Sequence, residues 1–282
     1  MHAALRLVRA GNLGVSFVGT VVGGLVARGS GVLAPWGFWV LVLLAAASTA
    51  MVTAGGNVLN DLLDRESDRV NHPDRPLVTG AVSVPTARVL TAGLFVVGSA
   101  VAVPVILVEP LVGVILAIAI AALLGYEFLL KARGFVGNIV VGFLTGMVFL
   151  YGGAAAGRPA LLLPFAGMAI LSTLSREVIK DMEDVRGDEG RTTLPKTWGL
   201  GAASGVARAT VGAAVVLSAL PPLWFVSLTS LGGIMYVVLV GAADAMFGVS
   251  VVYLPGRLHY EQTMSKLAMT VALFAFLAVA FR

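Results

Sequence analysis

Nine apolar segments leave this chain few ways to fold. They run over about 10–28, 36–59, 84–105, 110–130, 135–156, 160–180, 200–222, 230–254 and 263–281, and each is close to the roughly 20 residues a helix needs to cross a bilayer. Pro221-Pro222 separates the seventh from the eighth, because proline ends or kinks a helix. Charged residues make up only 12% of the chain, about half the roughly 25% of a soluble domain. In lipid every backbone polar group must be paired internally, so segments of this kind become helices. The expectation is an all-α polytopic membrane protein, one domain over residues 1–282, with the first apolar run retained as a span. The 34 glycines suit helices that approach closely in lipid, and Gly19/Gly23 and Gly142/Gly146 form small-xxx-small pairs.

Charge placement gives an orientation. With the N-terminus in the cytoplasm and strict alternation, all but Arg28, Arg158 and Arg282 of the 19 Lys and Arg residues fall on the cytoplasmic side. That is the asymmetry expected of a correctly divided chain, and it puts the C-terminus outside. Of the 15 acidic residues, Glu109 lies in an outer loop and Asp244 is mid-span; the rest sit at cytoplasmic helix ends or loops. The chemistry is therefore expected at the cytoplasmic face. With no cysteine, disulfides, zinc-thiolate sites and thiol nucleophiles are excluded. Three scattered histidines form no metal site.

Two carboxylate clusters end spans two and six. The first is Asn60, Asp61, Asp64 and Asp68. Residues 60, 64 and 68 are spaced i, i+4, i+8 and line one helical face, with Asp61 close beside. The second is Arg176-Glu177-x-x-Lys180-Asp181-x-x-Asp184-x-x-x-Asp188, in which Asp181, Asp184 and Asp188 share a face and Glu183 points elsewhere. Carboxylates stacked this closely need a positive partner. Hard Mg²⁺ is the usual one, since it prefers oxygen ligands. Spans two and six run the same way, so both clusters meet at one membrane face. Paired acidic clusters with interleaved bases suit a diphosphate held through metal and also stabilised as a leaving group.

These residues resemble the UbiA superfamily of intramembrane prenyltransferases, which have nine helices and Asp-rich motifs on helices two and six. Asn60-Asp61-Leu62-Leu63-Asp64-Arg65-Glu66-Ser67-Asp68 is a full match to NDxxDxxxD. Asp184 and Asp188 match the second motif, DxxxD, with Asp181 one turn earlier. Asn71-His72-Pro73-Asp74-Arg75-Pro76-Leu77 is similar to N-x-x-x-RPL. Within the superfamily the likeness is to the archaeal digeranylgeranylglyceryl phosphate synthases. Tyr126-Glu127-Phe128-Leu129-Leu130-Lys131 resembles their YSxxLK, with Glu127 departing from serine. The runs 137–146 and 176–184 are also similar to theirs.

The resemblance implies helices around a central cavity open to the cytoplasm, and a metal set of Asn60, Asp61, Asp64, Asp68, Asp181, Asp184 and Asp188 holding two Mg²⁺. Asp64, Asp68, Asp184 and Asp188 are the expected catalytic residues. Arg9, Arg75, Tyr126, Lys131, Asn138 and Lys180 are expected to bind substrate: Lys131 through a phosphate, Tyr126 by facing an allylic cation, and Arg9, with Asn12, by reaching the acceptor. The implied partners are a polyprenyl diphosphate donor, a lipid-like or aromatic acceptor, and membrane lipids, with no nucleic acid. The reaction implied is geranylgeranyl transfer from its diphosphate to geranylgeranylglyceryl phosphate, as in archaeal ether lipid synthesis. A 4-hydroxybenzoate polyprenyltransferase is the alternative on the same scaffold, although those enzymes tend to a DREDD-like second motif. A CDP-alcohol phosphotransferase would need a DGxxAR run, which is absent. A cation-coupled transporter would place its carboxylates near the bilayer midplane, and these gather at one face.

Overall fold

The computed structural model describes residues 2–29, 34–131, 133–186 and 192–282. The described residues contain helices and turns and no strand. The helices are α1 (His2–Val8), α2 (Ala10–Arg28), α3 (Trp36–Leu63), α4 (Arg65–Asn71), α5 (Val84–Val108), α6 (Leu111–Gly125), α7 (Phe135–Ala155), α8 (Leu163–Glu183), α9 (Leu194–Ser218), α10 (Leu220–Trp224), α11 (Leu231–Val252) and α12 (Leu258–Ala278). Among the described residues nine helical stretches are long and apolar enough to span a membrane, the number expected from the sequence.

Two boundaries differ from the apolar pattern. The seventh span starts at Leu194, not near 200, because Pro195 opens the helix and Gly199 then kinks it with non-helical backbone (φ 80°, ψ 163°). The ninth starts at Leu258, because the polar residues His259, Glu261 and Gln262 belong to its first turns.

The spans pack into a closed ring. α2 packs on α3 and α7, α3 on α5, α6 on α7, and α7 on α8; α8 packs on α9 and α12, α11 on α9 and α12, and α12 returns to α2. Outward-facing Val96, Leu107, Val114, Leu223 and Val238 are exposed, the apolar surface a bilayer would cover. The small-residue pair Gly142/Gly146 has a structural use. A Cβ on Gly142 would meet the Ile170 carbonyl oxygen at 2.9 Å, and one on Gly146 the Ala166 carbonyl oxygen at 2.9 Å. Their absence lets α7 lie against α8 and carries the second acidic cluster toward the first. Phe165, edge-on to Phe276 with centroids 4.8 Å apart, anchors the opposite side. A cavity of about 820 Å³ remains inside, lined by every spanning helix except α5.

Candidate active site

The first acidic motif is not one continuous helix. α3 stops at Leu63, Asp64 takes φ −85° and ψ 0°, and α4 restarts at Arg65. The hydrogen-bond rhythm nevertheless carries through. The Asp64 amide donates to the Asn60 carbonyl at 2.9 Å and the Asp68 amide to the Asp64 carbonyl at 2.8 Å, so the i, i+4, i+8 stacking survives the break.

Three cations hold these carboxylates. Arg75 Nη1 donates to Asp68 Oδ2 at 2.5 Å and to Asp61 Oδ1 at 3.1 Å. Arg9 Nη2 donates to Asp61 Oδ1 at 2.7 Å and to Asn60 Oδ1 at 3.0 Å. Lys131 Nζ donates to Asp64 Oδ2 at 2.6 Å and to Glu127 Oε2 at 3.2 Å. Asp61 and Asp68 are buried, so their charges need these partners. Local structure aims each cation. Buried Leu77 packs with Leu7, Val58 and Ala87 and pins the loop that carries Arg75. Arg9 sits at the α1–α2 joint with φ 55°, which turns the chain between the two helices. Lys131 follows a π-helical turn, Tyr126–Leu130, closed by its own amide on the Tyr126 carbonyl at 2.9 Å. Such turns often occur at functional sites.

The second cluster closes the other side. Buried Glu177 accepts from Arg176 Nη2 at 2.5 Å and from Lys180 Nζ at 3.0 Å. Asp181 Oδ2 accepts from Asn138 Nδ2 at 2.7 Å. Asp184 opens a 3₁₀ turn, Asp184–Arg186, at the end of α8. Asp188 lies outside the described residues. Glu183 turns away to His259 and Gln262 on α12. Only a short connection separates Lys131, on Asp64, from Asn138, on Asp181, so the two clusters share one end of the bundle. The cavity carries Arg9, Asn60, Tyr126, Glu127, Arg176, Glu177 and Lys180 on its wall, while its remainder is largely apolar, with Leu123, Leu144, Met147, Phe149, Met168 and Phe276. A charged end continuous with an apolar chamber is the shape of an amphiphile with an anionic head and a hydrocarbon tail.

The model of the UbiA prenyltransferase family matches residues 16–280. This chain belongs to that family. The digeranylgeranylglyceryl phosphate synthase of Methanopyrus kandleri is 37% identical over 283 residues, which cover 99% of each chain. A solved structure described as digeranylgeranylglyceryl phosphate synthase in membranes aligns at TM-score 0.82 and 29% identity, over 99% of this chain and 98% of that one. A UbiA homologue from Archaeoglobus fulgidus, bound to GPP and Mg²⁺, aligns at TM-score 0.65 over 97% and 99%. At 16% identity that last likeness is one of fold. As a UbiA prenyltransferase with nine apolar spans among its described residues, the protein is an integral membrane enzyme.

Against the UbiA pattern, Arg9, Tyr126 and Lys180 line the cavity, whereas Arg75 and Lys131 stand in the first cluster and Asn138 on Asp181. Among the described residues no three Asp, Glu or His side chains close on one point. That does not disqualify Mg²⁺, which is commonly held by one or two carboxylates together with substrate phosphates and waters. Asp64, Asp68, Asp181 and Asp184 carry hard oxygens of that kind; none of the four is on the cavity wall, which at this end is formed by Arg9, Asn60, Tyr126, Glu127, Arg176, Glu177 and Lys180.

Two carboxylates carry more of this UbiA site than spacing alone suggests. Glu127, which stands where the family run has serine, accepts from Asn60 Nδ2 at 3.0 Å and shares Lys131 with Asp64. Its signal is the i, i+4 relation to Lys131. Glu177 gathers Arg176 and Lys180, and its signal is the i, i+3 relation to Lys180. Asp244, for which the sequence offers no partner, lines the cavity and accepts from Ser218 Oγ at 2.7 Å.

Proposed function

We propose that the whole chain, residues 1–282, acts as a Mg²⁺-dependent digeranylgeranylglyceryl phosphate synthase. It moves a geranylgeranyl group from its diphosphate to geranylgeranylglyceryl phosphate. The observation that carries this reading is a cavity with acidic and basic side chains at one end and an apolar chamber behind, in a chain similar over its full length to a synthase of that name. The fold it shares with the A. fulgidus homologue bound to GPP and Mg²⁺ is consistent with the same donor class.

In this reading Asp64 and Asp68 face Asp181 and Asp184 across the donor's diphosphate, with Asn60 and Asp61 supporting the first side and Asp188 assigned to the second by its motif alone. These carboxylates would hold Mg²⁺, two ions in this reading, and the metal would supply the positive charge that neutralises the diphosphate and stabilises it as a leaving group. Arg75 and Lys131 supply fixed positive charge at the same end. The C1–O bond breaks and its electron pair leaves with the diphosphate. The allylic cation left behind faces the Tyr126 ring, whose π electrons favour a cation. The apolar chamber keeps water from intercepting it. The acceptor hydroxyl then bonds to C1 and its proton passes to Asp68 or to the released diphosphate. Asn138 holds Asp181 in place.

One competition assay tests the substrate assignment. Purified protein with labelled geranylgeranyl diphosphate and Mg²⁺ is offered geranylgeranylglyceryl phosphate and 4-hydroxybenzoate together. The expected product is the di-ether lipid phosphate, formed with equimolar diphosphate and without ion flux. A labelled aromatic product would transfer the assignment to quinone-type chemistry.

The proposed orientation, with N-terminus and site in the cytoplasm and C-terminus outside, has its own test, made simple by the absence of native cysteine. In intact cells, Ala81→Cys in the loop after α4 should resist an impermeant maleimide, and Ala160→Cys, before α8, should react. The reverse pattern would invert the topology.

A further inference from the structure

Two cations hold a single carboxylate on the α8–α12 side of the cavity, and a third lines the same wall. Arg176 and Lys180 donate to the two oxygens of Glu177. Lys266, on α12, donates to Gln262 Oε1 at 2.9 Å, and Gln262 in turn donates to Glu183 Oε2 at 3.2 Å. The three cations and Glu177 line the cavity. The Glu177 side chain is 8% exposed and that of Lys180 is 43% exposed, so the anion is buried beneath while the ammonium looks into open space.

The first cluster has the opposite balance. There Arg9, Arg75 and Lys131 are outnumbered by Asp61, Asp64, Asp68 and Glu127. That end needs added positive charge before it can hold a diphosphate, and bound Mg²⁺ would supply it. On the cavity wall the Glu177 end sets three cations, Arg176, Lys180 and Lys266, against that one carboxylate, with Asp181, Glu183 and Asp184 off the wall, so it can take an anion without metal. A phosphate monoester carries roughly −1.5 to −2 at neutral pH, a match for that surplus.

Reach agrees with charge. Lys180 precedes Asp184 by four residues along α8, so it stands about 6 Å away along the axis, or roughly one turn. In a glyceryl phosphate acceptor the attacking hydroxyl and the phosphate ester sit on neighbouring carbons. An acceptor phosphate must therefore lie within about a turn of the departing diphosphate. The ammonium of Lys131, by contrast, is already shared between Asp64 and Glu127.

We propose that Arg176 and Lys180, held by Glu177, together with Lys266 on the facing α12 wall, form a metal-independent site for the phosphate of the acceptor, separate from the magnesium diphosphate site. This rests on the assignment of a glyceryl phosphate acceptor above. The site selects acceptors by their phosphate and sets the hydroxyl toward C1.

The test uses the full chain with Mg²⁺, geranylgeranyl diphosphate, and two acceptors: geranylgeranylglyceryl phosphate and geranylgeranylglycerol. Exposed Lys266 is the residue to change, since its loss should not disturb folding. Lys266→Gln should raise the KM for the phosphorylated acceptor about tenfold, the scale of one charge-assisted hydrogen bond. The donor KM should stay within about twofold, the scale of an exposed charge that makes no direct contact. The KM for geranylgeranylglycerol should not move, and Lys266→Arg should restore the phosphorylated acceptor. Lys180→Gln should follow the same pattern. Equal rises for donor and acceptor would make these cations a diphosphate clamp and overturn the proposal. So would an unchanged acceptor KM, or an equal rise for the unphosphorylated alcohol. If the wild-type protein prenylates only 4-hydroxybenzoate, the acceptor assignment itself fails before any variant is compared.

Discussion

Asp64→Asn is expected to slow prenyl transfer by about a thousandfold while leaving the helical bundle folded. Asp64 sits at the break between α3 and α4, and its side chain is 19% exposed. Asparagine has nearly the same shape, so packing and the backbone hydrogen bonds on either side are kept. What is lost is one hard anionic oxygen and its pairing with Lys131 Nζ. If Asp64 helps hold magnesium against the diphosphate, the leaving group loses stabilisation where its charge develops. Deleting one such preorganised contact commonly costs about 10²–10³ in rate, so a fall of roughly a thousandfold is the expectation. Single-turnover release of diphosphate from geranylgeranyl diphosphate measures it, and a thermal melt in detergent checks folding. Asp74→Asn is the matched control. Asp74 is also an aspartate on a cation, Arg6, but its side chain is 74% exposed, and an exposed ion pair is worth about 0–1 kcal/mol. Its rate should be near that of the wild-type protein. Wild-type turnover by Asp64→Asn would remove this residue from the chemistry.

The spans and the acidic motifs are legible in the sequence because each is written in short-range spacing along the chain. An apolar run of twenty residues has one fate in lipid, and spacing of i, i+4, i+8 places Asn60, Asp64 and Asp68 together even though the helix breaks at Asp64. Arg75 is legible only as a family element. Its double pairing with Asp61 and Asp68 depends on Leu77 being buried against α1, α3 and α5, which is a fact of packing. Glu127 stands out in the sequence as a departure from serine, and nothing local says that it meets Asn60 on a different helix. Asp244 has the same difficulty: Ser218, its partner, is on α9, and the two come together only when α9 and α11 pack. Pattern therefore reveals which residues share a face, while partners across helices emerge with the ring itself. The surplus of cations on the cavity wall at Glu177 belongs to this second kind, since Lys266 joins it from α12.

Gly152→Ala should cost more stability than its single added methyl group suggests. Gly152 is on α7 where that helix crosses α2. An added Cβ would collide with the Thr20 carbonyl oxygen and stand 3.0 Å from the Gly24 amide nitrogen. The partner surface is equally tight, since a Cβ on Gly23 would come within 2.5 Å of the Phe149 carbonyl oxygen. Both obstacles are backbone, so no rotamer change relieves them and the helices themselves must separate. Forcing extra volume into a packed interior typically costs about 1–3 kcal/mol, occasionally more. For a chain of this size that is a fall of about 2–12 °C in Tm. Separation would also displace Val148 and Phe149, which line the cavity, so donor KM should rise along with the loss of stability. Gly93→Ala on α5 is the control. Nothing lies within 4 Å of its added Cβ, and alanine favours helix over glycine by about 1 kcal/mol, so its Tm should hold or increase. An unchanged Tm for Gly152→Ala would mean that α2 and α7 do not touch here, and one wall of the cavity would then be misplaced.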